Sequence, residues 1–590
     1  MTSIDDLFKS SGLPSKRKLD PVRDPTQIYK SAKLSSTPSS RAARVSPQPL
    51  SPEAGPAAPP SDDEGDYGPS AAPDDGLPDD DEEGRFFGGG ISAQEKEILD
   101  FMEDEEGGAG GPDKIDLAWL KKTALAFEKR ISRNAELRAR HEDEPARFID
   151  SEADLDAGIK MLSILGENPG LYADFARLGC VGSLVGLLAH ENTDIAIDAV
   201  EIVGELTDED VAATEEQWSA LVDALLEADL LGLLVSNFGR LDETQEADRN
   251  GVYLALGVVE NLCSRPDTTD IIGKDEELLK WLLVRAEKAE KPVTQNKQYA
   301  AEIIAILVQG SAANRRRLAS LDAVDKLLQL VAAYRKRDPE KNGEEEEYME
   351  NLFEALTCIV DEPEGKAKFI DAEGVELCNI MFKEGKASKY SALRLLDHAA
   401  SGPSGADVCQ KIVDAGGLKS MFTLFMKKNN GQTTEHLVGI FASMLRLLPA
   451  DSAERIRTLA KFVEKDYEKT TKLVTLRREY AARLAAVDEH ISQEQMGASA
   501  EEREELADDW FSRRLNAGLF CLQTVDVILA WLVAEDDGAR KKIQALLADR
   551  DETVVVIKAT IQDQINGMDV ESEDSRDTRE MLLTLAQFLS

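Results

Sequence analysis

A two-part pattern recurs along the middle of this chain and limits what it can fold into. From about Leu178 to Lys465, a compact leucine-rich helical segment is followed by a longer and more mixed one. The leucine-rich segments begin near Val181, Leu230, Leu278, Val324, Val375 and Leu418. Their spacings of 49, 48, 46, 51 and 43 residues lie close to the ~40–47-residue period of armadillo and HEAT repeats. The pattern therefore predicts an all-α fold, a right-handed superhelical solenoid of the armadillo/HEAT type whose repeats stack on one another.

Composition and pattern divide the chain into four regions. Residues 1–90 hold 13 of the 22 prolines, and such a segment cannot bury enough apolar surface to fold, so we expect a disordered tail. Residues 91–177 are predicted to form an N-terminal helical cap, and residues 178–465 the repeat array. Residues 466–590 are predicted to form a C-terminal helical capping region of coiled-coil or bundle type. The apolar helices of that last region leave open a homodimer.

Charge is distributed unevenly along the chain. The formal net charge is -43. Residues 1–50 carry nine Lys/Arg and four Asp/Glu, whereas residues 51–106 carry two Lys/Arg and 19 Asp/Glu. A net of -31 is left for residues 107–590. Because nucleic-acid binding relies on Lys and Arg that neutralise phosphates, the acidic body argues against direct nucleic-acid binding and favours protein partners with basic segments.

The longer segment of each repeat contains polar residues within an otherwise apolar helix. In an armadillo array this helix lines the concave groove, where amides can bond a peptide backbone and carboxylates can bind Lys and Arg side chains. The alternative for any one residue is a solvated face or a helix cap. The predicted peptide-binding groove residues are Glu201, Glu260, Asn261, Asn296, Glu302, Glu350, Asn351, Glu354 and Asp397.

Two kinds of short motif lie in the tail. The basic triplet Lys16, Arg17 and Lys18 is a candidate nuclear localisation signal. Thr37, Ser46 and Ser51 each precede a proline and are candidate sites of proline-directed phosphorylation.

No constellation in the sequence points to catalysis. The five histidines are far apart, no H-E-x-x-H or C-x-x-C occurs, and metal-ligand spacing is absent. The six scattered cysteines are interpreted as buried free thiols in a reducing compartment. No signal peptide or membrane span is evident. We therefore expect an intracellular protein that is not an enzyme, with no cofactor, no metal site and no membrane partner.

Ten short blocks, in order from about residue 115 to the C-terminus, resemble the catenin-beta-like proteins, which are nuclear armadillo-repeat proteins associated with pre-mRNA splicing. The blocks are Leu125–Arg130, Ser151–Leu155, Glu191–Ile195, Glu205–Asp208, Arg240–Glu243, Trp281–Leu283, Asn296–Tyr299, Met349–Phe353, Ser391–His398 and Arg513–Phe520. The resemblance implies a non-enzymatic nuclear scaffold of the spliceosomal NineTeen complex. It implies a groove that binds basic, localisation-signal-like segments of a Myb-like splicing factor, with other NineTeen-complex subunits as further partners.

An importin-alpha-like nuclear transport adaptor is the alternative, because it shares the architecture. Such adaptors use repeated W-x-x-x-N pairs. None of the five tryptophans is followed by Asn four positions later, which counts against this alternative.

Overall fold

The computed structural model describes residues 114–568 and 572–589, and all regular structure in this part is helical. Residues 114–122 belong to one compact unit and the rest of the described part to another, and each is described by itself. The predicted localisation signal Lys16, Arg17 and Lys18 and the predicted phosphosites Thr37, Ser46 and Ser51 lie outside the described residues. The domain boundaries near residues 90, 177 and 465 stay predictions.

Helices α1 and α2 precede the repeat array and span Leu117–Arg140 and Ile149–Lys160. The array itself consists of six units of three helices. The first helices are α3 Tyr172–Arg177, α6 Glu215–Glu227, α9 Pro266–Ile272, α12 Ala312–Ser320, α15 Pro363–Asp371 and α18 Ala406–Asp414. The second helices are α4 Cys180–Gly186, α7 Leu230–Arg240, α10 Glu276–Glu287, α13 Ala323–Val331, α16 Gly374–Glu384 and α19 Gly417–Phe425. The third helices are α5 Thr193–Thr207, α8 Glu246–Leu262, α11 Gln295–Gly310, α14 Glu344–Ile359, α17 Ser388–Ala400 and α20 Gly431–Leu447.

The predicted leucine-rich segments are the second helices and the predicted longer segments are the third helices. The two-part pattern nevertheless omits the first helix of each unit. Five of the six first helices are short, with six residues in Tyr172–Arg177 and seven in Pro266–Ile272, and so short a helix displays little of an apolar period. Pro266 and Pro363 begin two of these helices, where a proline loses no helical hydrogen bond.

A left-handed residue separates the first helix from the second in five of the six units. The chain must reverse there within a few residues, and a left-handed residue achieves this with minimal length. Glycine adopts that conformation without strain, and Asp tolerates it better than most residues. The residues are Gly179, Asp229, Asp322, Glu373 and Gly416, with φ values of 78°, 62°, 57°, 57° and 72°.

The third helices pack side by side in sequence order, each against the next. Their apolar faces form much of the core, and burial of each aliphatic side chain contributes about 1.5–3 kcal/mol. Fully buried examples, one from each of five consecutive third helices, are Leu256, Ile303, Leu352, Leu396 and Ile440. This continuous row identifies an all-α solenoid of armadillo type, as the sequence predicts.

The C-terminal region is built around two helices. Helix α21 spans Ala453–Gly497 and is kinked where Lys465, Asp466 and Tyr467 adopt left-handed conformations. Helix α24, Leu519–Glu535, packs against both α20 and α21 and so covers the end of the row. The remaining helices are α22 Ala500–Glu505, α23 Ala507–Asn516, α25 Asp537–Ala548, α26 Val555–Asn566 and α27 Glu573–Gln587. Short 3-10 helices span Pro145–Arg147, Met161–Glu167, Pro169–Leu171, Leu187–Ala189, Ala332–Arg335 and Pro403–Gly405.

The apolar pattern of residues Trp510–Val533 predicts one helix. The structure shows two helices, which are separated at Gly518. This glycine has a φ of 99°, which favours glycine over any other residue. A Cβ atom here would lie 2.4 Å from Cδ1 of Tyr480, so the close approach of α21 also requires glycine. The tyrosine belongs to an apolar cluster with Leu484, Leu519 and Leu522 that joins α21 to α24.

Candidate peptide-binding face

The third helices α5, α8, α11 and α14 each carry polar side chains three, four or seven residues apart, which places them in a stripe on one side of the helix, and α17 adds Arg394. The stripe is exposed at Glu201 and Glu350 and largely covered at the helices between them. We call it the third-helix face. It comprises Asp198, Glu201 and Glu205 on α5, Tyr253 and Glu260 on α8, Gln298, Tyr299 and Glu302 on α11, Glu347, Glu350 and Glu354 on α14, and Arg394 on α17.

Glu260 and two tyrosines link the stripes of α8 and α11. The hydroxyl of Tyr299 donates a hydrogen bond to the carboxylate of Glu260, which is only 8% exposed. The ring of Tyr253 lies 5.1 Å from that of Tyr299, centroid to centroid. Aromatic rings beside a carboxylate suit the aliphatic stem and the cationic head of a lysine or arginine.

Glu302 is a buried carboxyl group in the centre of the face, with 5% of its surface exposed. Burial, with a smaller contribution from the nearby carboxylates Glu347 and Glu344, raises its pKa to about 7. The amide of Gln298 opposes this shift by donating a hydrogen bond of 2.9 Å to Oε2. A cation that binds near Glu302 would therefore favour loss of its proton.

Replacing Glu302 by glutamine is expected to stabilise the protein at pH 8 and to have little effect below about pH 5. The pKa of Glu302 rises from its ordinary value of 4.5 to about 7 in the folded state, so folding takes up a proton between these values. Protonated Glu302 is compatible with burial, so the stability linked to this group is present at low pH. It is lost as the pH rises through 7 and the buried carboxyl group ionises. At pH 8 the free energy of unfolding of Glu302→Gln should exceed that of the wild type by roughly 3 kcal/mol.

Urea titrations of the wild type and Glu302→Gln at pH 5 and pH 8 measure this difference. Glu201→Gln is the matched control, because Glu201 is exposed and its replacement should give the same small difference at both pH values. An equal effect of Glu302→Gln at the two pH values would contradict the assignment of a raised pKa.

Glu354 and Arg394 link the stripes of α14 and α17. Their side chains form an ion pair of 2.8 Å in which both are less than one-fifth exposed. Arg394 thus neutralises Glu354 within the protein. Glu350, one turn earlier on α14, remains exposed.

Two of the three predicted groove amides bond the preceding repeat. Nδ2 of Asn261 donates to the carbonyl oxygen of Gly204 at 2.9 Å. Nδ2 of Asn296 donates to the carbonyl oxygen of Arg249 at 2.9 Å and to the carboxylate of Glu243 at 3.0 Å. These bonds join successive repeats, and their geometry resembles that of structural amides in a core.

Asn351 differs from the other two amides. It is 7% exposed, and its Nδ2 has no hydrogen-bond partner within the described part of the chain. A buried donor without a partner destabilises the folded state by about 1–3 kcal/mol, so a peptide carbonyl that reached Nδ2 would relieve that cost.

Asp397 lies inside the protein, with 1% of its surface exposed, and pairs with a histidine of the next repeat. Its Oδ2 lies 3.1 Å from Nδ1 of His436 on α20. One repeat earlier, Oδ1 of Asp361 lies 2.9 Å from Nδ1 of His398 on α17. The adjacent residues Asp397 and His398 therefore form no dyad with each other, and each contacts a neighbouring repeat.

Asp198, at the α5 end of the face, is paired with a second carboxyl group, that of Asp156 on α2. Burial, a hydrogen bond with Asp156 and the charge of that residue raise the pKa of Asp198 to about 7. Lys160 forms an ion pair with Asp156 and lies 3.6 Å from Asp198. Glu201, one turn along α5, adds a further negative charge and is exposed.

The structure thus places Glu260, Glu302 and Glu354 on three consecutive third helices and leaves Glu201 and Glu350 exposed, while binding of a peptide to any of the predicted residues stays a prediction. Tyr253 and Tyr299 were not predicted, and their position in the longer segments of consecutive repeats is the sequence signal for them. The pairing of His398 with Asp361 and of His436 with Asp397 was not predicted either, because sequence spacing alone does not reveal contacts across repeats.

Reactive groups are scarce in the described residues. No cluster of three or more His, Cys, Asp or Glu side chains there could hold a metal ion. All six cysteines lie among the described residues, are buried and form no disulfide. Burial raises the pKa of Cys180 and of Cys521 to about 12, which disfavours the nucleophilic thiolate of each.

Within 114–568 and 572–589, no individual helix has both the length and the apolarity needed to cross a membrane. Two bent pairs reach those values only in combination. They are Pro169–Arg177 with Cys180–Ala189, bent by 83°, and Ala507–Asn516 with Leu519–Glu535, bent by 60°.

Comparison with known proteins identifies a family and several proteins that this chain is similar to. The family described as "Catenin-beta-like, Arm-motif containing nuclear" matches residues 96–562. The chain belongs to this family. Similar proteins include the beta-catenin-like protein 1 homolog of Schizosaccharomyces pombe, 39% identical over 80% of this chain and 82% of that protein. Human beta-catenin-like protein 1 is 37% identical over 76% of this chain and 82% of its own length. The rat protein of the same name is 37% identical over 79% of this chain and 85% of its own length.

Proposed function

We propose that this protein is a non-enzymatic nuclear scaffold of the pre-mRNA splicing machinery that binds basic segments of partner proteins along the third-helix face. Membership of a nuclear, Arm-motif-containing family supports the architecture and the location. The resemblance to splicing-associated catenin-beta-like proteins supports the process.

The observation that carries the proposal is the line of carboxylates along consecutive third helices. Contacts join α8 to α11 at Glu260 with Tyr299 and α14 to α17 at Glu354 with Arg394. Glu302 lies between them and is influenced by the charges of α14. A peptide laid across these helices would meet a carboxylate at each one, and charge-assisted hydrogen bonds are stronger than neutral ones.

The exposed and the buried parts of the face have different roles in this proposal. Glu201 and Glu350 are accessible and attract Lys and Arg from solution. The tyrosines Tyr253 and Tyr299 pack against the stems of those side chains. The amide of Asn351 supplies a donor for a peptide carbonyl.

The partners proposed are a Myb-like splicing factor and other subunits of the NineTeen complex. Affinity purification with mass spectrometry tests this, with the wild type compared against the double variant Glu201→Lys/Glu350→Lys. Splicing factors should be recovered with the wild type and depleted with the variant. Recovery of no splicing factor with the wild type would contradict the partner class, and equal recovery with both would contradict the binding face.

Nuclear accumulation is expected to depend on the basic triplet of the tail. Replacing Lys16, Arg17 and Lys18 by alanine should lower the nuclear-to-cytoplasmic ratio of a fluorescent fusion severalfold, because import signals are recognised through clustered positive charge. Replacing the dispersed lysines Lys9, Lys30 and Lys33 by alanine removes the same charge and should leave the ratio near the wild-type value. An unchanged ratio for the triplet variant would contradict the prediction.

A further inference from the structure

A cavity of about 450 Å³ lies between α24 and α27, in the C-terminal region. Helices α24 and α27 contact each other. Its volume is within the ~300–1,000 Å³ of cavities that hold ligands or side chains of partners. None of the residues of the third-helix face lines it.

Apolar side chains form one part of its lining. Trp531 lies on α24, Met581 on α27, and Phe588 directly follows α27. Phe588 is 46% exposed, so its ring offers apolar surface to a side chain that enters the cavity. The cavity therefore suits a bulky apolar side chain.

Carboxylates form the other part, and two of them lack a counter-charge. Glu535 is paired with Arg455. Asp577 and Glu580, at i and i+3 on α27, are exposed and have no cation within ion-pair distance among the described residues. No Lys or Arg side chain lines the cavity. The electrostatic field at its rim thus favours an occupant that carries positive charge.

We propose that this cavity is a second docking site, which takes an apolar side chain of a partner peptide that is flanked by Lys or Arg. The apolar anchor fills the space between Trp531 and Met581, and the flanking cations pair with Asp577 and Glu580. An amphipathic helix in a groove presents this combination on one face. The site is independent of the third-helix face.

A second copy of the chain suits the cavity less well. Residues 466–590 carry 26 Asp/Glu against 15 Lys/Arg, so two such regions repel each other. The charge of the rim and the charge of the surrounding region therefore both point to a basic partner.

Two labelled peptides test the proposal on the full chain by fluorescence anisotropy. One, GKKLFKKLLKKG, carries apolar anchors at helical spacing, and the other, GKKSSKKSSKKG, has serine in their place and the same charge. The ratio of their affinities isolates the apolar contribution. We expect a ratio of about ten or more for the wild type, which is the effect of burying one or two large apolar side chains.

Variants locate that contribution. Asp577→Lys/Glu580→Lys and the cavity-filling Thr584→Trp should each bring the ratio near one, with helical circular dichroism unchanged. Glu504→Lys/Glu505→Lys, the same charge change at exposed residues of α22, should keep it near ten. Glu201→Lys/Glu350→Lys should also keep it, which separates this site from the third-helix face.

Two results would overturn the proposal. One is a ratio that stays at the wild-type value in both cavity variants. The other is a wild-type dimer in light scattering that Thr584→Trp converts to a monomer, since a second copy would then be the occupant of the cavity.

Discussion

Replacing Arg455 by alanine is expected to lower the free energy of unfolding by about 3–5 kcal/mol, the range for removing one partner of a buried ion pair. Arg455 is 2% exposed and lies in the first turn of α21. Its guanidinium pairs with Glu535 on α24 and donates to the carbonyl oxygen of Leu448, just after α20, at 2.9 Å. It also lies 4.7 Å from the ring centroid of Trp531. Arg455 thus connects the C-terminal helices to the last repeat.

Thermal and urea unfolding of Arg455→Ala measure this loss. Arg457→Ala is the matched control in the same helix, because Arg457 is 59% exposed and its side chain lies 3.8 Å from Asp414. An exposed pair of this kind contributes ~0–1 kcal/mol. Similar stabilities of the two variants would show that the buried contacts of Arg455 do not hold the C-terminal region in place.

Reversing the charge of Glu201 and Glu350 is expected to weaken binding of a Lys/Arg-rich peptide about a hundredfold, or roughly 2.7 kcal/mol. Each reversal replaces an attraction by a repulsion at an exposed position of the third-helix face. The fold should be unaffected, since neither side chain belongs to the core. Affinities from anisotropy at low and physiological salt measure the effect, which should shrink as salt rises.

Glu201 and Glu350 are suitable positions for charge reversal because both side chains are exposed. Glu260 and Glu302 are 8% and 5% exposed, and Glu354 is paired with Arg394, so a lysine at any of the three would introduce a buried or unpaired charge. Glu504→Lys/Glu505→Lys on α22 is the control of equal charge. Equal weakening by the control would mean that net charge, and no particular face, governs binding.

The sequence predicts the second and third helices of every repeat because a leucine-rich segment and a longer mixed segment recur at a regular spacing. It does not predict the first helices, which are as short as the six residues of Tyr172–Arg177. Apolar spacing also does not predict the break at Gly518, because the break is related to the close approach of Tyr480 from another helix.

The candidate face is predictable only in part. Sequence spacing shows which side chains share one side of a helix, and so it finds Glu201 and Glu350. It cannot show that the amide of Asn261 is engaged by Gly204 of the preceding repeat, or that Asp397 is buried against His436. Those contacts depend on how far neighbouring helices slide along each other, which is set by packing across repeats.

The central claim is that a basic peptide lies along the third helices, and photo-crosslinking tests it most directly. A Lys/Arg-rich peptide with a central benzoylphenylalanine would be irradiated with the full chain, and the linked residues identified by mass spectrometry. We predict crosslinks on α8, α11 and α14, near Tyr253, Glu302 and Glu350, that are lost in Glu201→Lys/Glu350→Lys. Crosslinks confined to the first helices of the repeats, and unchanged in that variant, would contradict the account.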